Sequence, residues 1–395
     1  MRRIVVVGAS MGGLRAAEQL RAAGFAGELV VVGDEPHRPY NRPPLSKEVL
    51  ASEVTHAAVA FRMRSSVADV DWRLGMPVVS SDLAARTLTL LDGSSLAYDG
   101  LVVATGLRPR RLPQPGLEDR RHVVRTLDDA TRLRASLAPG VRVVVIGAGF
   151  VGCEVAATAR RLGAEVTVVC AAPEPLMSPL GPDLGAELRR RHEAEGVRFL
   201  LGRTVTAFAA STPPGPHRAA DVVLSDGTAV AADVIIEAVG STPCVSWLDG
   251  NGLDLSDGVL CDAELRVEGR PDVVAVGDVA RFPNPRYDGV CRRVEHWSIP
   301  TDTARKAART LLGVESPPFA PLPSFWSDQY DLRIQSFGAP ALGCDDIRVL
   351  EGDLTSECAV GYHRDGELVG VVLLGLASAI PRYRKLLMDA FAAAV

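Results

Sequence analysis

The chain has 395 residues, 47% apolar and 23% charged, which predicts two or three folded domains and excludes a disordered chain. Its 43 basic and 48 acidic residues leave a net charge of −5 with no basic arm or stripe, which argues against nucleic acid as a partner. The 7 cysteines are odd in number and form no C-x-x-C pair, so they read as reduced thiols of a cytoplasmic protein, not as a disulfide frame or a metal site.

Met1-Arg2-Arg3 leads directly into Ile4-Val5-Val6-Val7, an all-apolar run that predicts a parallel strand buried on both faces. A turn, Gly8-Ala9-Ser10-Met11-Gly12-Gly13, and an alanine-rich helix to about Ala23 follow, which does not fit a signal peptide. Gly24 stands where a helix C-cap would be, and a second apolar strand ends in Gly33-Asp34-Glu35. A helix N-terminus offers N–H groups and partial positive charge to a pyrophosphate, and glycine lets that backbone approach closely. Gly8, Ser10 (in place of a middle glycine), Gly12 and Gly13 are therefore the predicted phosphate cradle, with Asp34 and Glu35 placed for a ribose diol.

Residues 108–116 form a proline-rich connector, and beyond it the same unit recurs. A strand over 141–146 precedes Gly147-Ala148-Gly149-Phe150-Val151-Gly152, a helix to Leu162, Gly163 as its cap and a strand over 165–169. One such glycine pattern is a weak signal; two, each after a buried strand and opening a helix, are a strong one. The second copy lacks the carboxylate expected at its strand end, where Cys170, Ala171 and Ala172 follow instead. No acid is there for a 2′-hydroxyl and no arginine for a 2′-phosphate, so the choice between NADH and NADPH stays open. Cys170 reads as a redox thiol or as a buried strand-end cysteine. Residues 212–216 predict a loop between two strands. Residues 315–323 predict a stiff linker into a small α+β domain, with a strand over Glu367–Leu374 and a helix from about Pro381. The apolar stretch over 368–380 falls short of the ~20 residues of a membrane span, so no membrane is expected as a partner.

Two nucleotide sites predict one tightly held flavin, FAD, and one exchangeable nicotinamide. Pro39-Tyr40-Asn41-Arg42-Pro43-Pro44-Leu45-Ser46-Lys47 resembles the P-Y-x-R-P-P-L-S-K segment of NAD(P)H-dependent, FAD-containing ferredoxin reductases. These are the putidaredoxin-, rubredoxin- and biphenyl-dioxygenase-type reductases on the glutathione-reductase fold. The resemblance continues through Ala104-Thr105-Gly106, Arg125-Thr126-Leu127-Asp128-Asp129-Ala130 and Gly277-Asp278-Val279-Ala280. It returns at Val294-Glu295-His296-Trp297 and Phe325-Trp326-Ser327-Asp328-Gln329-Tyr330, in the family's order. It implies an α/β protein with two Rossmann-type dinucleotide-binding domains. FAD takes residues 1–112 and 240–314, NAD(P) takes 113–239, and 315–395 forms a small C-terminal α+β domain.

The resemblance also implies roles. Asp278 binds the ribityl chain and Arg125 an FAD phosphate or ribose, while Asp34, Val79 and Trp297 line the flavin nucleotide. Arg42, Ala104, Thr105 and Gly106 join them. Gly147, Gly149, Phe150, Val151 and Gly152 cradle the nicotinamide nucleotide, with Cys170, Gly240 and Glu295 beside it. Lys47 matches the family lysine near flavin N5 and C4=O, where a cation stabilises the charge that arrives with a hydride. A desolvated ammonium needs a partner, which the family supplies at the position of Glu154; the two are expected within salt-bridge distance.

Residues 41–47 contain no cysteine, whereas disulfide reductases of this fold place a C-x-x-x-x-C pair beside the flavin and peroxide-reducing relatives a single cysteine there. Electrons must then pass directly to an external acceptor. The expected activity is hydride transfer from NAD(P)H to FAD, then release of single electrons to a [2Fe–2S] ferredoxin or rubredoxin serving a cytochrome P450 or a dioxygenase. One alternative is a small-molecule acceptor. Another is a slow, nicotinamide-responsive flavoprotein similar to apoptosis-inducing factors. Arg292-Arg293, Arg305-Lys306-Arg309 and Arg382-Arg384-Lys385 read as a docking face for an acidic ferredoxin or as ordinary solvated surface. Trp326 resembles the family's tryptophan near the flavin edge, or anchors the C-terminal core. A monomer and a homodimer both fit.

Overall fold

A computed structural model describes residues 1–210 and 220–394. The loop expected over 212–216 lies outside the described residues. The chain forms two compact units: residues 1–41, 56–108 and 242–324, and residues 42–55, 109–241 and 325–395.

In the first unit a five-stranded sheet runs, in spatial order, Val273–Ala275, Gly100–Val103, Arg3–Val7, Glu28–Val32 and Asp71–Arg73. All its pairings are parallel. Ile4, Val5 and Val6 are fully buried, the burial that a continuous apolar run requires. The helices Met11–Ala22 and Ile299–Leu311 pack on each other and on this sheet. Parallel pairing brings the C-terminal ends of the five strands to one edge, where ligands of open α/β sheets bind. A three-stranded antiparallel sheet, Val78–Asp82, Thr87–Leu90 and Ser95–Ala97, completes the unit's main elements.

The second unit repeats the plan. Its five-stranded parallel sheet runs Arg198–Leu201, Glu165–Cys170, Arg142–Ile146, Val234–Glu237 and Arg121–His122. The helix Phe150–Arg161 packs on it. The helix Leu127–Ser136 begins in a capping box: Thr126 accepts from the Asp129 amide and Asp129 from the Thr126 amide. That local geometry accounts for part of the Arg125–Ala130 motif. A second sheet of this unit runs Ser324–Gln329, Leu332–Gly338, Glu367–Leu374, Cys358–Arg364 and Ile347–Gly352, followed by the helix Ile380–Ala394. Val360, Tyr362, Val372 and Leu374 share one apolar cluster with Val143 and Val166 of the parallel sheet and Val155 of the helix Phe150–Arg161. The fold is thus mixed α/β, with two Rossmann-type halves and a C-terminal α+β element. No helix among the described residues is long and apolar enough to cross a membrane.

Candidate functional site

In the first unit three segments distant in sequence meet at the C-terminal edge of the parallel sheet. Gly8 has φ +117°, and a Cβ there would lie 2.1 Å from the Ala104 carbonyl oxygen and 2.9 Å from the Thr105 nitrogen. A Cβ on Gly12 would meet Val276 Cγ1 at 3.6 Å and Ala104 Cβ at 3.7 Å. Gly13 allows the helix to close on the turn, since its Cβ would lie 1.8 Å from the Gly8 carbonyl oxygen. The Gly277 amide donates to Thr303 Oγ1 at 2.9 Å, which fixes the one-turn helix Gly277–Val279 that carries Asp278. Ser10 is the N-cap of Met11–Ala22, its side chain makes no capping hydrogen bond, and no acid stands in the first turn of the helix. The positive end of such a helix favours an anion. These residues fit the pyrophosphate of FAD.

The other predicted flavin residues of this unit are placed as follows. Glu35 accepts the Tyr40 hydroxyl at 2.5 Å, and Asp34 is exposed. The amides of Gly75 and Met76 bond the carbonyls of Glu35 and Gly33, tying the start of the Val79 strand to the end of Glu28–Val32. Thr105 Oγ1 donates to the Cys244 carbonyl at 2.7 Å. Trp297 Nε1 lies 3.4 Å from Asn41 Oδ1, with the ring still 40% exposed. Glu295 also belongs to this unit, where it pairs with Arg293 at 3.0 Å.

In the second unit Gly147 has φ +102°, and its Cβ would lie 2.3 Å from the Ala238 carbonyl oxygen. A Cβ on Gly152 would stand 2.1 Å from the Gly147 carbonyl oxygen. Gly149, the N-cap of Phe150–Arg161, is different: a Cβ there would meet nothing within 4 Å. Packing demands two of these glycines, and the third leaves open space at a helix start, as a dinucleotide needs. Gly240 also faces open space, and Val151 is exposed. Phe150 packs edge-on against Phe325 with centroids 4.7 Å apart. Cys170 is buried, in keeping with a strand-end core cysteine. Its carbonyl accepts the Arg203 amide at 3.1 Å, but the Arg203 guanidinium pairs with Asp226 at 2.8 Å.

The ion pair expected between Lys47 and Glu154 is present in this unit. The turn Pro43–Ser46, opened by two prolines, delivers Lys47 Nζ to 2.7 Å from Glu154 Oε2 and 3.0 Å from the Pro43 carbonyl oxygen. Glu154 lies on the buried face of Phe150–Arg161 and also accepts Ser46 Oγ–H at 2.5 Å and Ser327 Oγ–H at 2.6 Å. Thr158 Oγ1 ties its helix to the Ser46 carbonyl at 2.8 Å. The neighbouring Cys153 is an inert thiol, since burial pushes its pKa far up. Arg42 donates to the Arg125 carbonyl at 2.5 Å. Sequence reasoning missed Ser46, Ser327, Gln329 and His192 as partners of this site. The available signal was Ser327 and Gln329 two apart on one strand, a polar pair on its buried face.

The candidate docking cations are mostly committed locally. Arg292 pairs with Asp288, Arg293 with Asp257, Arg382 with Glu351 and Lys385 with Asp389. Lys306 has to be removed from that face: it is buried and bonds Glu264 at 2.7 Å and Ser316 at 2.9 Å. The helix Ile299–Leu311 turns it inward because the linker returns over that helix.

Residues 2–304 match the model of the pyridine nucleotide-disulphide oxidoreductase family, and residues 324–394 that of the reductase C-terminal family. The chain is 36% identical over 380 residues to rhodocoxin reductase of Rhodococcus erythropolis, spanning 95% of this chain and 86% of that protein. It is 38% identical over 355 residues to the ferredoxin–NAD(+) reductase component of the p-cumate 2,3-dioxygenase system of Pseudomonas putida, spanning 89% and 84%. Among solved structures, the covalent putidaredoxin reductase–putidaredoxin complex superimposes with a TM-score of 0.91 at 31% identity, covering 98% of this chain and 93% of that one. Matched by both family models in succession, the chain belongs to the pyridine nucleotide-disulphide oxidoreductase family, in the branch that carries the reductase C-terminal domain.

Proposed function

We propose that this protein is a flavoprotein reductase that takes a hydride from NADH or NADPH and delivers single electrons to a small [2Fe–2S] ferredoxin. The names of the relatives and the putidaredoxin complex support the ferredoxin as acceptor. In this reading FAD belongs to residues 1–112 and 240–314, the nicotinamide nucleotide to 113–239, and 315–395 forms the C-terminal element. Bound FAD supplies the chemistry, accepting two electrons as a hydride and giving them up one at a time. The start of Met11–Ala22 binds its pyrophosphate, with Glu35 toward a ribose and Asp278 toward the ribityl chain. The start of Phe150–Arg161 does the same for the nicotinamide nucleotide. Cys170 contributes no charge there and Arg203 is spent on Asp226, so selectivity between the two nucleotides is weak.

The observation that carries the proposal is the Lys47–Glu154 pair in a segment without cysteine. Lys47 holds a positive charge for the flavin ring, and Glu154 offsets the cost of burying it. With Ser46 rather than a thiol beside Lys47 and an inert Cys153, no residue of this segment stores electrons, and they leave to an external carrier. The test is anaerobic mixing of the yellow holoprotein with NADH or NADPH, followed by a [2Fe–2S] ferredoxin and cytochrome c. Flavin bleaching and ferredoxin-dependent cytochrome reduction are expected. Flavin reduced by neither nucleotide refutes the proposal, and turnover on quinones with none on iron–sulfur proteins assigns a small-molecule acceptor instead.

A further inference from the structure

The second carboxylate oxygen of Glu154 opens a chain of buried polar side chains. Ser327 Oγ is 2.6 Å from Glu154 Oε1, Gln329 Nε2 is 3.2 Å from Ser327 Oγ, and His192 Nε2 is 2.9 Å from Gln329 Oε1. Tyr330 OH stands 3.4 Å from the other ring nitrogen of His192. Ser327, Gln329 and His192 are each at most 2% exposed, which shields their hydrogen bonds from bulk solvent. They come from two elements, the helix Pro182–Ala194 and the strand Ser324–Gln329, neither of which holds Glu154.

The chemistry of the groups gives this chain one direction. A carboxylate only accepts, so the single proton of Ser327 must point at Glu154. Ser327 Oγ is then an acceptor toward Gln329, which must present its NH₂. The amide oxygen of Gln329 therefore faces His192, and an oxygen only accepts. His192 must carry its proton on Nε2 and leave Nδ1 to accept from Tyr330. Burial lowers the pKa of His192, in keeping with a neutral ring carrying one proton. Edge-on contacts with Phe199 at 5.9 Å and Tyr330 at 5.1 Å hold the ring in place.

We propose that Ser327, Gln329 and His192 are positioning residues, whose one-way hydrogen-bond chain locks the Glu154 carboxylate and, through it, holds the Lys47 ammonium in the geometry that favours flavin reduction. The proposal rests on the reductase reading above. If any link reverses, Ser327 turns its proton away, Glu154 loses one donor, and the carboxylate is free to rotate with Lys47. A structural role alone asks only that the space be filled.

Three measurements on the intact holoprotein test it. The ¹⁵N chemical shifts of labelled His192 in the wild type should give the Nε2–H tautomer at neutral pH; an Nδ1–H tautomer overturns the proposal without any variant. Ser327→Ala removes the donor, and Gln329→Glu keeps the shape but accepts where the amide donated, which reverses the Ser327 link. Each should slow flavin reduction by NADH about tenfold at unchanged KM, and lower the two-electron midpoint potential by about 30 mV, the equivalent of a tenfold equilibrium change. Potentials equal to wild type in Ser327→Ala overturn the proposal even if Gln329→Glu fails to fold. Lys47→Met separates the two levels. If it reduces flavin normally, the reductase reading of Lys47 fails; if it is slow while Ser327→Ala is normal, only the positioning role fails.

Discussion

Replacing Lys47 by methionine separates stability from catalysis at the pair. The two side chains are 12% and 7% exposed and 2.7 Å apart, so the substitution leaves a buried carboxylate without its counter-charge. Breaking such a pair costs about 3–5 kcal/mol. Ser46 and Ser327 still donate to Glu154, which places the cost near ~3 kcal/mol. For a unit of roughly 220 residues, at ~2–3 °C per kcal/mol, the melting temperature should fall by about 6–9 °C. In the proposed role of Lys47, loss of its preorganised charge should slow flavin reduction by about 10²-fold or more. The double variant Lys47→Met/Glu154→Gln removes the stranded charge, so it should regain most of the stability and none of the rate. Stopped-flow bleaching of the flavin absorbance and melts of the holoprotein measure both. A Lys47→Met protein that melts early yet reduces its flavin within about twofold of wild type would make the pair purely structural and refute the reasoning.

Gly149→Ala should fold normally and bind NADH more weakly, because its Cβ meets no protein atom within 4 Å but enters the open cradle. Gly147→Ala should instead lose the fold of the second unit, since its Cβ would sit 2.3 Å from the Ala238 carbonyl oxygen at a φ of +102°. Melts and NADH titration distinguish the two, and equal melting temperatures would contradict the packing argument. Burial lowers the pKa of His122 and His192, and takes that of His296 to about 4. Below the unfolded value near 6.5 the unfolded chain therefore binds more protons. Stability should fall as pH drops below about 6.5, and for His296 by up to ~1.4 kcal/mol per pH unit down to about 4. Urea midpoints that stay constant between about pH 7 and 5 would count against neutral buried rings. Without a charge at Cys170, kcat/KM for NADH and NADPH should agree within about tenfold, one charged hydrogen bond being worth ten- to a hundredfold. Cys170→Glu should then favour NADH, and a wild type that discriminates by more than about a hundredfold would point to another nucleotide contact.

Local backbone chemistry was legible in the sequence. The two glycine turns, the apolar strands before them and the glycines ending the helices are constraints written within about a dozen residues, because φ/ψ restrictions and strand burial act over that range. The pairing of Lys47 with Glu154 was reached only through resemblance to a family, for no periodicity connects positions 107 apart. What only tertiary packing decided is which polar side chains share the interior. Residues 42–55 and 325–395 cluster with the nicotinamide-type sheet, which brings Ser46, Ser327 and Gln329 to Glu154 and His192 to Gln329. In the first unit, the return of the linker over its helix buries Lys306 away from any docking face. Serine, glutamine, histidine and lysine are at home on surfaces, so nothing in their spacing marks them as buried. Their partners exist only once long-range burial has removed water from both sides and forced each donor to find an acceptor.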